Sequence, residues 1–389
     1  MSTSTLRPVV TELRLSAFRT HSGAVFPLGP LTLFTGASGS GKSSVLEAYA
    51  ALSRLAGGER LRTVFPDPPA YVPRRSRPDP QGRRGFRIGC TVDGPVGEVR
   101  LDLAVQAEPE LRVVGERLTG AGETLLETAL RDPGRRSVQA AWHTAGAAQV
   151  TRAPLPDDRL ATALLPLRIA GKTAGQLLTL AAAEQVLIAL RSVFSCDPRP
   201  ERMRVPAQRG EGRLRSTCDN LASVLLRTRT ECATRHTALV AAVRAGCSGP
   251  VHGLGTEQSS AGSVRAVLEQ GELGVMPVDR LGDGELRYLA LALVLMTGPG
   301  VLEVDPVADV LPAQQALTVL ADGFDRCMDR RQARELLDVA RRMCARGHIR
   351  LVASVGDAAG LAPGREPEGA GPEAGREEGD GVTVVHLGA

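Results

Sequence analysis

The chain has 389 residues, of which 43% are hydrophobic and 23% charged, and a formal net charge of +4. That length suits one large domain or two ordinary ones, and the composition excludes a wholly disordered chain and a coiled-coil rod. The longest apolar stretches, such as residues 289–296, fall short of the roughly 18 to 20 residues that a membrane helix needs, and the start MSTSTLRPVV has no secretory pattern, so the expected location is the cytoplasm.

The first elements are two strands, Val10–Phe18 with partial alternation and the apolar Leu31–Thr35, followed by a glycine-rich turn and a helix over Ser43–Leu55. In that helix Val45, Leu46, Tyr49, Leu52 and Leu55 share one face, and Gly57-Gly58 ends it. Residues 59–87 are rich in Pro and Arg and read as irregular. Here Arg74, Arg75, Arg77, Arg83 and Arg84 form a positive stretch that could neutralise DNA phosphates, the other reading being a solvated loop in an arginine-rich chain. Phe65, Tyr71 and Phe86 are better placed to pin this loop than to stack on bases.

Phe86–Val92, Glu98–Val105 and Glu110–Glu116 read as an antiparallel meander, and Trp142-His143 as a structural turn. A helical lobe is expected at about 155–275, then an apolar helix over 285–296. The strand Ala316–Ala321, the helix Arg330–Arg346 and the strand His348–Ser354 imply a right-handed parallel βαβ crossover. The division expected is a head over 1–360, a flexible acidic Gly/Pro linker over 361–381 and a terminal strand over 382–389 that returns to the head.

The chemistry centres on Gly36-Ala37-Ser38-Gly39-Ser40-Gly41-Lys42-Ser43, a full match to G-x-x-x-x-G-K-[ST] set between strand and helix and followed by Ser44. Glycines let backbone N–H groups turn toward a phosphate, the helix start adds partial positive charge, Lys42 reaches the β- and γ-oxygens and Ser43 offers its hydroxyl to Mg²⁺. Among 47 basic residues only Lys42 and Lys172 are lysine, so Lys42 marks a place for a compact, flexible ammonium. The seven cysteines lack a C-x-x-C pair and the histidines lack metal-ligand spacing, so ATP and its Mg²⁺ are the cofactors expected.

The run LGDGELRYLAL at 281–291 resembles the LSDGTLRxLAL signature of the ATP-binding-cassette-like ATPases of the RecF, SMC and OLD group. Leu13–Arg19 is similar to that group's opening strand, whose final Arg, here Arg19, lies beside the nucleotide. The resemblance implies an α/β fold: an ABC-type P-loop ATPase head with an antiparallel β subdomain and an inserted helical lobe, without a Toprim module or long coiled coil. It also implies that Asp283 and Gly284 reach the nucleotide of a second copy, making an ATP-gated homodimer. Two strands end in a candidate Walker B carboxylate. Asp305 lies 20 residues after Glu285, but Asp322 is favoured, because DGFDRCMD at 322–329 resembles the DEPE..LD pattern and a helix and strand follow in family order. Asp322 would then hold Mg²⁺ with Ser43.

Three departures bear on catalysis. Gly282 stands where the signature serine belongs, Gly323 where a glutamate orients the attacking water, and Ser354-Val355-Gly356-Asp357 has no switch histidine. The resemblance therefore implies ATP binding with slow hydrolysis, Asp325 or Asp357 being possible substitutes. The function expected is a switch in DNA repair, chromosome maintenance or phage defence. The alternatives are a non-hydrolysing ATP-loaded scaffold for an effector protein and a small-molecule P-loop kinase, the last disfavoured by the signature run. Several glutamines, Gln176 and Gln185 among them, could serve as the Q-loop glutamine.

Overall fold

The computed structural model describes residues 7–145, 149–210, 212–258, 262–298, 300–304, 316–356, 376–379 (backbone only) and 381–388. Strands β1 (Val9–Phe18), β2 (His21–Pro27) and β3 (Leu31–Thr35) precede helix α1 (Lys42–Ala56) and the short α2 (Leu61–Val64). Strands β4 (Arg84–Asp93), β5 (Val99–Glu108), β6 (Arg112–Gly120), β7 (Glu123–Ala129), β8 (Ser137–His143) and β9 (Val150–Pro156) follow. Next come α3 (Ala174–Arg191), β10 (Val193–Cys196), α4 (Pro200–Met203), β11 (Ala207–Gln208), α5 (Leu221–Glu231) and α6 (Ala233–Gly246). The remainder comprises β12 (Gly253–Gln258), β13 (Ser263–Glu269), β14 (Val275–Pro277), α7 (Asp283–Leu295), β15 (Leu317–Ala321), α8 (Arg330–Cys344), β16 (Ile349–Ser354), β17 (Arg376–Gly379) and β18 (Val382–His386). Among the described residues no helix is long and apolar enough to cross a membrane.

The chain divides into two compact units, and it passes from the second to the first between Ser38 and Gly39. The first unit holds an eight-stranded antiparallel sheet in the order β2-β1-β4-β5-β6-β7-β8-β9. The period-2 pattern builds its core face: Leu13 pairs with Cys90 and Leu15 with Ile88, and these continue to Leu101 and Leu103 on β5. All six side chains are buried, and α1 and α3 pack on the sheet. The other face carries charge, with Arg14 donating to Asp102 at 2.9 Å and Arg100 to the same carboxylate at 2.7 Å.

The second unit is built on a six-stranded sheet, β10-β15-β16-β3-β18-β17. Strands β15, β16, β3 and β18 are parallel, and β17 runs antiparallel to β18. β3 and β15 are buried at every residue, the mark of central parallel strands covered on both faces. The crossover from β15 to β16 runs through α8, whose first turn is capped by Asp329: its carboxylate accepts from Gln332 N at 2.7 Å while Gln332 Oε1 accepts from Asp329 N at 3.1 Å. Helix α7 is apolar all round and buried from Leu286 to Leu295, so it acts as a core rod.

Several sequence expectations change. Trp142-His143 closes β8 and is no turn: Trp142 pairs with Thr151 across the strands, and its indole is buried because the β period turns it inward. The region 155–275 contains β10 to β14 besides its helices. Arg376–Gly379, expected inside a structureless linker, forms β17 because β18 offers it a free edge. In the Pro/Arg-rich segment Phe65 meets Tyr71 and Phe86 edge to face at 4.9 and 5.1 Å, and Phe18 meets Phe86 at 5.2 Å, so these rings are core and anchor the loop. Asp305 and Asp357 lie outside the described residues.

Candidate functional site

The parallel sheet ends at one carboxyl edge, the position where open α/β sheets bind ligands. There β3 runs into Gly36, and β15 runs into Asp322, with β16 between them: Ser354 is level with Phe34 on one side, and Ala353 with Ala321 on the other. Gly36 takes φ 142, Gly39 φ 87 and Gly41 φ 96, left-handed values that a side chain would strain. Ala37, Ser38 and Gly39 form an exposed crown, and a Cβ at Gly39 would meet nothing within 4 Å. Ser40 Oγ is buried and makes no hydrogen bond. Helix α1 begins at Lys42 with no side-chain cap and no acid in its first turn, so its N-terminal partial charge is not neutralised by its own residues. Lys42 is half-buried, Ser43 exposed and Ser44 buried. An open, positive-φ loop with an orphaned hydroxyl fits an oxyanion ligand.

Asp322 is held from the neighbouring strand. Ser354 Oγ donates to Asp322 Oδ1 at 2.5 Å and accepts from Gly323 N at 2.8 Å, so one hydroxyl orients the carboxylate and the turn after it. Gly323 has φ 65. Asp325 points at the end of β16, both its oxygens accepting from Gly356 N at 3.1 and 2.9 Å. Ser354, noted in the sequence only for not being a histidine, is a site residue that strand register alone reveals.

The 281–285 segment is also tied down. Asp283 is exposed and paired with Arg204 at 2.7 Å, while the same guanidinium donates to the carbonyls of Asp279 and Leu281. Glu285 closes the turn by accepting from Gly282 N at 3.2 Å and from Ser248 N at 3.1 Å. Gly284, which the resemblance has reaching the nucleotide of a second copy, is buried, and an added Cβ would lie 2.1 Å from the Cys327 carbonyl oxygen. Its lack of a side chain serves the packing of α7 on the turn that follows Asp322. The same two elements are joined by Arg287, 3% exposed, which donates to Pro198 O at 2.7 Å and Gly323 O at 3.0 Å. Burial, with help from nearby Arg326, lowers the Arg287 pKa. Arg287 is the arginine of the 281–291 signature run, matched there without a role of its own.

Arg19 lies against α1: it pairs with Glu47 at 2.5 Å, and its guanidinium sits 4.8 Å from the Tyr71 ring centroid. Gln185 is spent inside the first unit, accepting from Val96 N and donating to Gly97 O and Val92 O. Gln176 accepts from Lys172 N. Of the arginine stretch, Arg83 is paired with Asp79 and Arg84 with Glu108, while Arg74, Arg75 and Arg77 are exposed and have no partner among the described residues.

The parallel sheet of the second unit, the P-loop that leaves it and the antiparallel sheet of the first are the elements of an ABC-type ATPase head fold. Among solved structures the chain is similar to an SMC head bound to the C-terminal winged-helix domain of ScpA, at 13% identity over 97% of both chains with a TM-score of 0.50. It therefore has the SMC-head fold. Other similar structures are the SMC head domain of Thermotoga maritima (12% identity, 97% of this chain and 98% of that one, TM-score 0.44) and the Pyrococcus furiosus Smc head with extended coiled coil bound to the ScpA C-terminal domain (12%, 97% and 96%, 0.46). No protein-family model and no curated protein sequence matches the chain.

Proposed function

We propose that the protein binds ATP with Mg²⁺ at the P-loop and acts as an ATP-gated dimeric switch with slow turnover. The observation that carries this reading is the GASGSGKS loop leaving β3 at the carboxyl edge where Asp322, fixed by Ser354, ends β15. In this reading Lys42 offsets β- and γ-phosphate charge, and Ser43 and Asp322 hold Mg²⁺. In a dimer, residues 281–285 of one copy face the nucleotide of the other. The position after Asp322 is Gly323, which brings no carboxylate to orient water, and Asp325 is engaged by Gly356 N. Turnover suffers because positioning and electrostatics supply nearly all of the catalysis in phosphoryl transfer. The same departure favours a second reading, an ATP-loaded scaffold that regulates an effector protein without hydrolysis.

The settings this reading suits are DNA repair, chromosome maintenance and phage defence, with Arg74, Arg75 and Arg77 as DNA-phosphate contacts. Titration calorimetry with ATP and Mg²⁺ tests the core of it: wild type should bind at micromolar concentrations and Lys42→Ala should lose most of that affinity. Light scattering should show ATP shifting monomer to dimer. Equal affinities for the two proteins would refute nucleotide binding at this loop, and an unchanged mass would refute the dimer.

A further inference from the structure

The turn between β1 and β2 touches the start of α1, and it does so through a histidine. His21 Nε2 lies 3.1 Å from the carbonyl oxygen of Gly41, the residue that immediately precedes the helix. A carbonyl only accepts, so the hydrogen bond requires the proton on Nε2. The ring is 9% exposed and packs edge to face on Phe26, with centroids 5.3 Å apart at 77°. Burial lowers the His21 pKa, against the opposing pull of the Gly41 hydrogen bond. Thr20 and His21 also fill the space beside Gly41, where a Cβ would come within 2.5 Å of both side chains.

Gly41 O accepts from Ser44 N at 3.0 Å and Val45 N at 3.2 Å within the helix, and His21 adds a bond from outside it. The Gly41 C=O and the Lys42 N–H belong to one planar trans peptide and point in opposite directions, so fixing the oxygen fixes the direction of the N–H. α1 has no side-chain cap to do this. We propose that His21 is a positioning residue for the phosphate loop: its Nε2–H anchors the Gly41 carbonyl and thereby sets the Gly41–Lys42 peptide plane for binding phosphate. The proposal rests on the ATP-binding reading above and adds to it a residue outside the P-loop motif.

The test uses the full chain and two readouts. In nucleotide-free protein with ¹⁵N-labelled histidine, long-range ¹H–¹⁵N correlation should show the His21 ring, assigned by its loss in His21→Gln, as the Nε2–H tautomer. In calorimetry with ATP and Mg²⁺, His21→Phe keeps the ring packing but has no donor, and should bind about tenfold more weakly, the scale of one lost hydrogen bond. His21→Gln places an amide N–H near the position of Nε2 and should stay within about threefold of wild type. His21→Asn is one carbon shorter and should behave like His21→Phe, which keeps the comparison decisive if the Phe variant fails to fold. An Nδ1–H tautomer, or Phe and Asn variants that bind as wild type does while Lys42→Ala does not, would overturn the role of His21 and leave the P-loop reading standing. Loss of ATP binding by wild type itself would overturn both, even if the Nε2–H tautomer reported the contact.

Discussion

Gly284→Ala places one methyl group where two elements already touch. The new Cβ would stand 2.1 Å from Cys327 O, 3.0 Å from the Cys327 carbonyl carbon and 3.3 Å from Gln332 Oε1. Ordinary carbon–oxygen contact begins near 3.3 Å, so the turn or the helix must move by about 1.2 Å. The obstructing atoms are backbone, and their turn is held by Phe324 N to Ser354 O, Met328 N to Asp325 O and the Asp329 cap of α8. Alanine is favoured over glycine inside a helix by about 1 kcal/mol, and less in the first turn, where Gly284 sits. Overpacking costs about 1–3 kcal/mol, and a clash with fixed backbone belongs at the upper end, so the net change is about 2 kcal/mol of destabilisation. At about 1.2 °C per kcal/mol for a chain of this size, the melting temperature should fall by about 2 °C. Because the displaced turn carries Asp322 and Asp325, ATP affinity with Mg²⁺ should fall with it. Thermal unfolding followed by fluorescence and calorimetric titration measure the two effects. A variant at or above the wild-type melting temperature would show that the turn yields freely and that Gly284 is not required for packing.

Ser354→Ala removes the hydroxyl between Asp322 and Gly323 N, so it should weaken ATP binding about tenfold with Mg²⁺ and little in EDTA. Equal losses with and without metal would mean that Ser354 does not act through Asp322. Hydrolysis by wild type should be far below about one turnover per second, and Gly323→Glu should not raise it. At φ 65, with Arg326 Nε 2.9 Å from the added Cβ, that side chain is strained and cannot settle as a water-orienting glutamate. Single-turnover assays decide it, and a faster variant would contradict the argument. Replacing Arg74, Arg75 and Arg77 with Gln should flatten the salt slope of duplex DNA binding by about three units, whereas Arg83 and Arg84, already paired with carboxylates, should contribute less. Equal slopes for the two sets would argue against this assignment.

The local elements that carry the site are legible in the order of residues alone. A five-residue apolar run, a glycine-rich octet with one lysine and a 3.6-period helix are written within 25 consecutive residues, 31–55, and they formed with boundaries shifted by at most one residue. The order strand, helix, strand from 317 to 354 likewise foretold a parallel crossover, since buried parallel strands read as unbroken apolar runs. What periodicity does not encode is which distant residues face one another. Ser354 meets Asp322 across 32 residues, Arg287 meets Gly323 across 36, and His21 meets Gly41 across 20. Each depends on strand register or on how a turn packs against a helix end. The same holds for Gly284, whose need for glycine lies in a carbonyl on another element, and for the arginine stretch, whose composition could not tell Arg84, neutralised by Glu108 from the neighbouring strand, from Arg75 in solvent. Hydrogen bonds and steric contacts act over a few ångströms in space regardless of separation along the chain, so only the folded chain decides them.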